Sequence, residues 1–329
     1  MRIAVIGAGL AGLHCAHQLT KLDYDVTVFE KSRGCGGRMA VKRLDWGELD
    51  LGAQYFTARS PEFRAELAKW LKLGIVRQWR FTPYQVTNQG LVPSPDTDTN
   101  AEDHSTARYV GSPCMNSPVK YLASTVNLQL NTCVTNLEYT NNRWRLTGDN
   151  NLALGSYDWV IVATPGEQAS ALLNQQTHIS YLIAKQVHTP CWALGVATTG
   201  KVAPSIQGVF GDNTVSWLSR LSSKPERCIK HNFDDIWMLH FSPETSTALT
   251  ADTVLPQGQQ WLDKVFNNQL TIHHHYQHFW RYANLVNDTS LPPLIDDSRR
   301  VVVIGDWTQG GRIEGAFLSA QRVINYMFA

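Results

Sequence analysis

The sequence predicts a two-domain α/β fold in which both ends of the chain contribute strands to one parallel sheet. Residues 1–30 form a strand (RIAVI), a glycine-rich turn, a helical pattern and a second strand (VTVFE), which is how a parallel α/β unit begins. A similar β-branched run, RRVVVI, recurs near the end of the chain at 299–304 and stops at Gly305. A length of 329 residues suggests about two domains.

The other elements follow from periodicity and breaker residues. Apolar residues at helical spacing predict a helix over 10–22, and Ser60 suits the N-cap of an amphipathic helix over 61–73. The remaining predicted elements are a polar excursion of strand and loop at 87–112, a helix at 118–126, strands around 130–137, 144–147 and 157–163, a helix at 257–267, and a long amphipathic helix at 313–327.

Charge and cysteine content exclude several classes of protein. The net charge is +1, from 29 basic and 28 acidic residues without a long single-sign run, so no nucleic-acid partner is expected. No stretch approaches the roughly 20 apolar residues of a membrane span. The cysteines are scattered without a CxxC pair, so we expect reduced thiols and a cytoplasmic protein without a membrane partner. They are Cys15, Cys35, Cys114, Cys133, Cys191 and Cys228.

The first motif is GxGxxG, formed by Gly7, Gly9 and Gly12 between the first strand and the first helix. These glycines allow a tight turn, a close approach of a pyrophosphate to the helix N-terminus, and close packing of helix on strand. Glu30 ends the second strand, where an acid accepts hydrogen bonds from a ribose. The sequence therefore predicts a dinucleotide site.

A second glycine cluster follows Glu30 directly in the segment KSRGCGGRM. It carries Arg33 and Arg38, whose forked donors match phosphate oxygens. Simple NAD dehydrogenases lack such an element here. In FAD proteins of the amine-oxidase and glutathione-reductase superfamily, which this segment resembles, the corresponding loop closes over the pyrophosphate.

The C-terminal segment GDWTQGGRIEGAFLSA is similar to the flavin motif of the same superfamily. The resemblance implies that Asp306 meets the ribityl chain and that the helix from about Ile313 points its N–H groups at the flavin. A helix N-terminus stabilises the negative charge of a reduced flavin. Val134 and the Thr164-Pro165 turn resemble the family's adenine-contacting strand and its turn beside the cofactor, although ordinary sheet structure is an equal alternative.

The resemblance narrows to the renalase-like flavoproteins. It rests on EKSRGCGGRM, DLGAQYFTAR at 50–59, PCWAL at 190–194, HFWRYA at 278–283 and the C-terminal motif, in the same order along the whole chain. Leu51 and Cys35 depart from the pattern, because relatives have a polar residue and a proline there. The resemblance implies a p-hydroxybenzoate hydroxylase-like, FAD/NAD(P)-binding Rossmann-type fold with a mixed-sheet substrate domain.

The domains expected from this resemblance are an FAD-binding domain of 1–60, 113–165 and 295–329, and a substrate domain of 61–112 and 166–294. FAD is expected to be noncovalent, since residues 299–329 contain no cysteine. The implied cofactor-binding residues are Gly7, Gly9, Ala11, Gly12, Glu30, Lys31, Arg33, Gly37, Arg38, Gly52, Ala53, Gln54, Val134, Thr164, Pro165, Asp306, Arg312, Ile313 and Ala316.

The implied activity is oxidation of the 2- or 6-dihydro isomers of NAD(P)H, with hydride passing to FAD and dioxygen giving H2O2 and NAD(P)⁺. The predicted substrate-face residues are Gln54, Tyr55, Trp280, Arg281 and Tyr282. On a strand, Trp280 and Tyr282 share one face and Arg281 lies on the other. The aromatic residues could instead be core of the second domain.

On the sequence alone, two alternative functions stay open and a metal site is disfavoured. A flavin amine oxidase and a noncatalytic flavin-binding redox sensor both remain compatible with the motifs. A metal site in the run His273–His275 with His278 is disfavoured, because no carboxylate or cysteine lies nearby in the sequence. We therefore predict no metal.

Overall fold

The computed structural model describes residues 1–95, 107–174, 176–227, 232–286 and 290–328. The strands are β1 (Arg2–Ile6), β2 (Asp25–Phe29), β3 (Val41–Leu44), β4 (Gly47–Asp50), β5 (Val76–Gln78), β6 (Tyr84–Thr87), β7 (Gly90–Pro93), β8 (Tyr109–Gly111), β9 (Asn127–Gln129), β10 (Val134–Thr140), β11 (Arg143–Gly148), β12 (Ala153–Tyr157), β13 (Trp159–Val162), β14 (His188–Thr199), β15 (Gly208–Phe210), β16 (Val215–Arg220), β17 (Asp235–Phe241), β18 (Thr271–Leu285), β19 (Leu294–Asp296) and β20 (Val301–Val303). The helices are α1 (Leu10–Lys21), α2 (Pro61–Lys72), α3 (Ser117–Ala123), α4 (Gly166–Leu173), α5 (Ser180–Ile183), α6 (Pro243–Ala248), α7 (Val254–Phe266) and α8 (Arg312–Phe328).

The first sheet joins the two ends of the chain, as predicted. Its six strands have the order β19-β20-β13-β1-β2-β9. All neighbours pair in parallel except β19, which is antiparallel to β20 at one edge. The chain passes from β1 to β2 on one side, whereas β13 and β20 join on the other. Strand order therefore reverses between β1 and β13, the place where open α/β sheets bind ligands beyond their carboxyl ends.

Side chains that alternate along β1 contribute to a hydrophobic core on each face of this sheet. Ile3 and Val5 belong to a cluster with α1, α2, α3 and α8. Ala4 and Ile6 belong to a second cluster with β10, β11, α4 and α5. Successive side chains of a strand point to opposite faces, so a run that is apolar throughout is buried on both. This arrangement leaves the carboxyl ends of the strands free for a site.

The second large sheet is mixed, which confirms the predicted mixed-sheet architecture. Its order is β18-β14-β17-β16-β15-β6-β7, and β15 and β6 are its parallel pair. One face packs under α7 through side chains such as Trp261 and Leu262. The opposite face holds Ala193, Ala197 and Met238 against Leu49 and Leu51, which flank the end of β4. The segment after β4 therefore lies where the two large sheets meet.

Several predicted boundaries need correction. The strand predicted at 157–163 is two strands: Tyr157 ends the antiparallel β12, and β13 begins at Trp159. Asp158 between them accepts from the Arg2 amide at 2.7 Å, which turns the chain into the parallel sheet. The strand around 130–137 is divided between β9 and β10 at Asn131, which has a φ of 51°. The helix predicted over 118–126 begins one residue earlier and ends at Ala123.

Other local predictions are confirmed. The Ser60 side chain accepts a hydrogen bond from the Phe63 amide at 3.3 Å and so caps α2. Part of the polar excursion at 87–112 forms β6, β7 and β8, while residues 96–106 and Cys228 lie outside the described residues. None of the helices in the described part of the chain is long and apolar enough to cross a membrane.

Candidate active site

The glycine turn sits at the carboxyl end of β1, where the sheet order reverses. Gly7 has a φ of 107°, and a Cβ there would lie 2.8 Å from the Ala163 carbonyl oxygen. A Cβ on Gly12 would lie 2.1 Å from the Gly7 oxygen, so α1 packs directly on the turn. A Cβ on Gly9 would meet nothing within 4 Å. Ala11 is buried in the first turn of α1.

The first turn of α1 offers an open N-terminus. Its N-cap residue, Gly9, makes no side-chain hydrogen bond, and the first turn contains no acidic residue. The first N–H groups of a helix lack intrahelical acceptors and carry a positive partial charge. Open space at Gly9 and an uncapped helix beside it fit a pyrophosphate.

The second glycine cluster lies against the first. The Gly36 amide donates to the Ala8 carbonyl at 2.8 Å. A Cβ on Gly37, which has a φ of 54°, would be 3.3 Å from the Gly9 Cα. The two segments therefore form the walls of one cleft. Lys31 and Arg33 are exposed at its outer end.

Glu30 joins the two segments at the end of β2. Its carboxylate accepts from the Ala8 amide at 2.9 Å and from the Ser32 amide at 2.8 Å, and the residue is 8% exposed. The Thr132 amide donates to the Glu30 carbonyl at 2.9 Å, which brings the start of β10 alongside. Half-buried Val134 is the first residue of that strand. This end of the cleft has the acceptor and the apolar strand expected around an adenosine.

The Thr164-Pro165 turn closes the other side of the glycine turn. The Thr164 methyl carbon would be 3.6 Å from a Cβ on Gly7, and Pro165 is the N-cap of α4. The buried hydroxyl of Thr164 has no hydrogen-bond partner among the described residues. A buried hydroxyl without a partner is costly, and a ligand in the cleft would satisfy it.

Arg38 and Asp306 form an ion pair, although the sequence assigned them separate roles. The Arg38 guanidinium donates to the Asp306 carboxylate and, at 3.1 Å, to the Ala283 carbonyl of β18. Asp306 is 6% exposed, and its carbonyl accepts from the Gly311 amide at 2.9 Å. This pair connects the second glycine cluster to the C-terminal motif and to the second sheet.

The N-terminus of α8 follows this pair. A Cβ on Gly311 would meet nothing within 4 Å, and Arg312 has a φ of 69° and is exposed. Ile313 and Ala316 are half-buried in the first turns of the helix. As at Gly9, bare backbone lies beside the start of a helix, which suits the approach of a flat ring system.

Residues 50–54 form the floor between the two sheets. A Cβ on Gly52 would be 2.1 Å from the Arg38 oxygen, and the Ala53 amide donates to that oxygen at 2.9 Å. Buried Gln54 donates to the carbonyls of Asp50 at 2.6 Å and Gly52 at 2.9 Å. The Gln54 side chain therefore holds this segment from inside.

The predicted substrate-face residues lie on two different elements. Trp280 of β18 donates from its indole nitrogen to the Leu51 carbonyl at 3.1 Å, and Tyr282 lies edge-on to His188 at 6.1 Å. Both are half-buried, whereas Arg281 between them is exposed, which is the predicted division between the faces of a strand. Tyr55 packs against Trp217 with ring centroids 5.4 Å apart.

The sequence does not predict two groups that lie near this floor. Arg108 lies over the ring of Tyr55 at 5.4 Å and over that of Phe81 at 5.2 Å. Lys224 is fully buried and contacts Asp50 and Gln54, each at 3.0 Å. No local motif marks either residue, and the SSKPER segment around Lys224 would have been the only cue, a charged run in a proline-containing loop.

The histidine run does not form a metal site in the described part of the chain. His273 pairs with the Thr199 hydroxyl at 2.8 Å, and His274 stacks on Trp46. Among the described residues no group of three or more histidine, cysteine or acidic side chains could hold a metal ion. The run lies on one long strand, β18, and its side chains alternate between the two faces of that strand.

Comparisons with known proteins agree with this geometry. A model of the NAD(P)-binding Rossmann-like domain matches residues 5–70, and a model of the flavin-containing amine oxidoreductases matches residues 96–325. The fold is that of an FAD-dependent oxidoreductase. Since the second match covers more than half of its length, the chain belongs to the flavin-containing amine oxidoreductase family. The family implies a flavin cofactor, FAD.

Similar structures share the fold at low identity. A candidate protoporphyrinogen oxidase of Exiguobacterium sp. 255-15 has a TM-score of 0.75 at 12% identity, covering 99% of this chain and 98% of that one. An oxidoreductase of Methanosarcina mazei has a TM-score of 0.73 at 13% identity, covering 99% and 100%. Putrescine oxidase bound to putrescine has a TM-score of 0.72 at 12% identity, covering 99% of both chains.

Curated relatives match over a short segment. The 4,4'-diapophytoene desaturases of Staphylococcus aureus strains Newman and USA300 are 44% identical over 52 residues. The match covers 16% of this chain and 10% of each desaturase. It is too short to transfer an activity.

Proposed function

We propose that this protein is a renalase-like oxidase that removes a hydride from the 2- or 6-dihydro isomers of NAD(P)H. Its domains are those expected from the sequence, 1–60, 113–165 and 295–329 for FAD, and 61–112 and 166–294 for the substrate. FAD is held noncovalently in the cleft of the two glycine segments. When bound, FAD would accept a hydride from the substrate, which leaves NAD(P)⁺, and would pass two electrons to dioxygen, which takes up two protons, one of them from solvent, to give H2O2.

One observation carries the proposal: flat rings and a guanidinium lie together at the predicted substrate face. Tyr55 contacts both Trp217 and Arg108, with the Trp217 ring centroid and the Arg108 charge each 5.4 Å from its ring centre. Aromatic walls suit a nicotinamide ring, and a guanidinium suits the phosphates of a dinucleotide. A guanidinium at this face favours a substrate that carries phosphates over a simple amine.

The protonation state of His240 is compatible with a dihydropyridine substrate. Burial lowers the pKa of His240 to about 4, and its Nε2 bonds to the Leu51 carbonyl at 3.0 Å. His240 is thus a neutral structural donor. A dihydropyridine that loses hydride becomes an aromatic cation without giving up a further proton, so it needs no base. The protein then has to bind the substrate, align it with the flavin and exclude water.

The test of the proposal is anaerobic flavin reduction in a stopped-flow instrument. We expect the 2- and 6-dihydro isomers to bleach the flavin absorbance rapidly and ordinary 4-dihydro NADH to bleach it slowly. On readmission of air, the flavin should reoxidise with one H2O2 per turnover. Bleaching by amines alone would favour an amine oxidase, and no bleaching by any hydride donor would favour a flavin-binding sensor. Colour in an acid-precipitated pellet would contradict noncovalent binding.

Trp280→Ala should slow flavin reduction by the isomers about tenfold or more, with FAD still bound. The indole is lost as a wall for the substrate, and about 1.4 kcal/mol of alignment corresponds to tenfold in rate. The measurement is the limiting rate of anaerobic bleaching. Phe279→Ala is the matched control, since Phe279 neighbours Trp280 on β18, is 39% exposed and packs on Trp192 instead. Equal rates in the Trp280 variant and the wild type would remove Trp280 from the site.

A further inference from the structure

A fully buried ion cluster lies under the floor formed by residues 50–54. The Asp50 carboxylate accepts from Lys224 at 3.0 Å and from Arg227 at 2.8 Å. The three side chains are 2%, 0% and 7% exposed. The Met115 amide donates to the other carboxylate oxygen at 3.1 Å. Burying three charges is costly unless the arrangement is well paired, which makes the cluster a feature that needs an explanation.

Hydrogen bonds connect the cluster to the floor of residues 50–54. Lys224 donates to the Gln54 side-chain oxygen at 3.0 Å, and the Gln54 amide group holds the carbonyls of Asp50 and Gly52. From the second sheet, His240 and Trp280 both donate to the Leu51 carbonyl. The position of Gly52 and Ala53 therefore depends on hydrogen bonds made by Lys224 and by the side chains around it.

The cluster also carries an excess positive charge. One carboxylate, Asp50, faces two cations, Lys224 and Arg227. The ring of Trp79 lies 5.4 Å from the Lys224 ammonium, and the charge of Lys224 acts on neutral His240. Two other acids lie in the surroundings of the cluster. Glu48 accepts from the Cys114 thiol at 2.8 Å and pairs with Arg43 at 3.2 Å. Glu226, next to Arg227 in the sequence, accepts from the Ser112 hydroxyl and pairs with Arg77 at 3.3 Å. In a low-dielectric interior such an imbalance acts over longer distances than in water.

We propose that Lys224 is a positioning residue that, with Asp50 and Arg227, tunes the electron affinity of the bound flavin through the floor of residues 50–54. The inference rests on the proposed function and on the expectation from the sequence that Gly52 and Ala53 bind the cofactor. A positive charge near a flavin favours its negatively charged reduced state. Loss of the Lys224 proton removes that charge and weakens electron acceptance, which gives the site a pH dependence.

The pH window follows from the environment of Lys224. Burial lowers the pKa of its ammonium to about 8, against the attraction of Asp50 and with the repulsion of Arg227. The ammonium is charged below this value and neutral above it. Asp50 does not titrate in this range, because the charges of Lys224 and Arg227 outweigh the effect of burial and bring the pKa of its carboxyl down to about 2. His240 is already neutral.

The experiment uses the full-length, FAD-loaded protein without substrate. The flavin midpoint potential and the affinity of the flavin for sulfite are measured between pH about 6 and about 10 for the wild type, Lys224→Met, Lys224→Arg and the exposed control Lys264→Met. We expect Lys224→Met to bind sulfite about tenfold more weakly at pH about 7 and to have a lower potential. It should also lose the step near pH 8, which the wild type and Lys264→Met retain.

Lys224→Arg should keep the neutral-pH potential and sulfite affinity but lose the step, since its charge is fixed. If Lys224→Met does not fold, this variant carries the test, and a step near pH 8 that persists in it would overturn the proposal. An unchanged midpoint potential and sulfite affinity in FAD-loaded Lys224→Met would also overturn the proposal. A wild type that takes up FAD but oxidises no dihydronicotinamide would overturn only the proposed function, because these readouts need no substrate.

Discussion

Gly12→Ala is expected to destabilise the protein by about 3 kcal/mol and to weaken FAD binding by about tenfold or more. The added methyl would lie 2.1 Å from the Gly7 oxygen and 3.0 Å from the Ala163 Cβ. Both neighbours directly follow central strands of the sheet, β1 and β13, so neither can move away as a flexible side-chain end would. The turn that holds the pyrophosphate must then deform. Urea unfolding of the apoprotein and FAD titration measure the two effects.

Gly9→Ala is the matched comparison, because it should separate binding from folding. A Cβ at Gly9 meets nothing within 4 Å, and the residue has an ordinary φ of −77°. We expect the apoprotein to keep its stability or gain up to about 1 kcal/mol from the stiffer unfolded chain. FAD affinity should still fall, since the methyl occupies the space left for the pyrophosphate. Normal FAD affinity in this variant would mean that the phosphates lie elsewhere.

The parts of the site that could be predicted from the sequence are those in which a local pattern has a local physical cause. A glycine with positive φ, a strand of β-branched residues and an N-cap serine depend on neighbours within a few residues. For this reason the turn at Gly7, the strand Val301–Val303 and the cap at Ser60 could be placed from the sequence alone. The joining of both chain ends in one sheet followed from the likeness of two strand-glycine patterns.

The features that were missed depend on pairs that are distant in sequence. Lys224 and Asp50 are 174 residues apart, and Arg38 and Asp306 are 268 apart. Neither spacing leaves a pattern in a single sequence. The contacts of Gln54 are of the same kind: its amide nitrogen donates to two backbone carbonyls, and its side-chain oxygen accepts from the distant Lys224. Only the fold brings these groups together.

Asp50→Asn is expected to reduce the free energy of unfolding at pH about 7 by about 3–5 kcal/mol, because it leaves two buried cations without their counter-charge. Asn keeps the size of the side chain, so the change tests charge and not packing. The exposed pair of Asp25 with Arg2, at 3.2 Å, supplies the control: Asp25→Asn should cost at most about 1 kcal/mol. Urea unfolding followed by tryptophan fluorescence measures both.

The pH dependence gives this prediction a second, independent check. In the wild type the pKa of Asp50 lies near 2, below its ordinary value of 3.8, so its contribution is present above about pH 4 and is lost as the pH falls through about 2. Without Asp50, the pKa of Lys224 drops further below about 8. The unfolded lysine then binds more protons than the folded one, so the stability of Asp50→Asn should rise between pH about 6 and about 9. A loss below about 1 kcal/mol, or a stability that is flat over this range, would show that the cluster is not held by its charges.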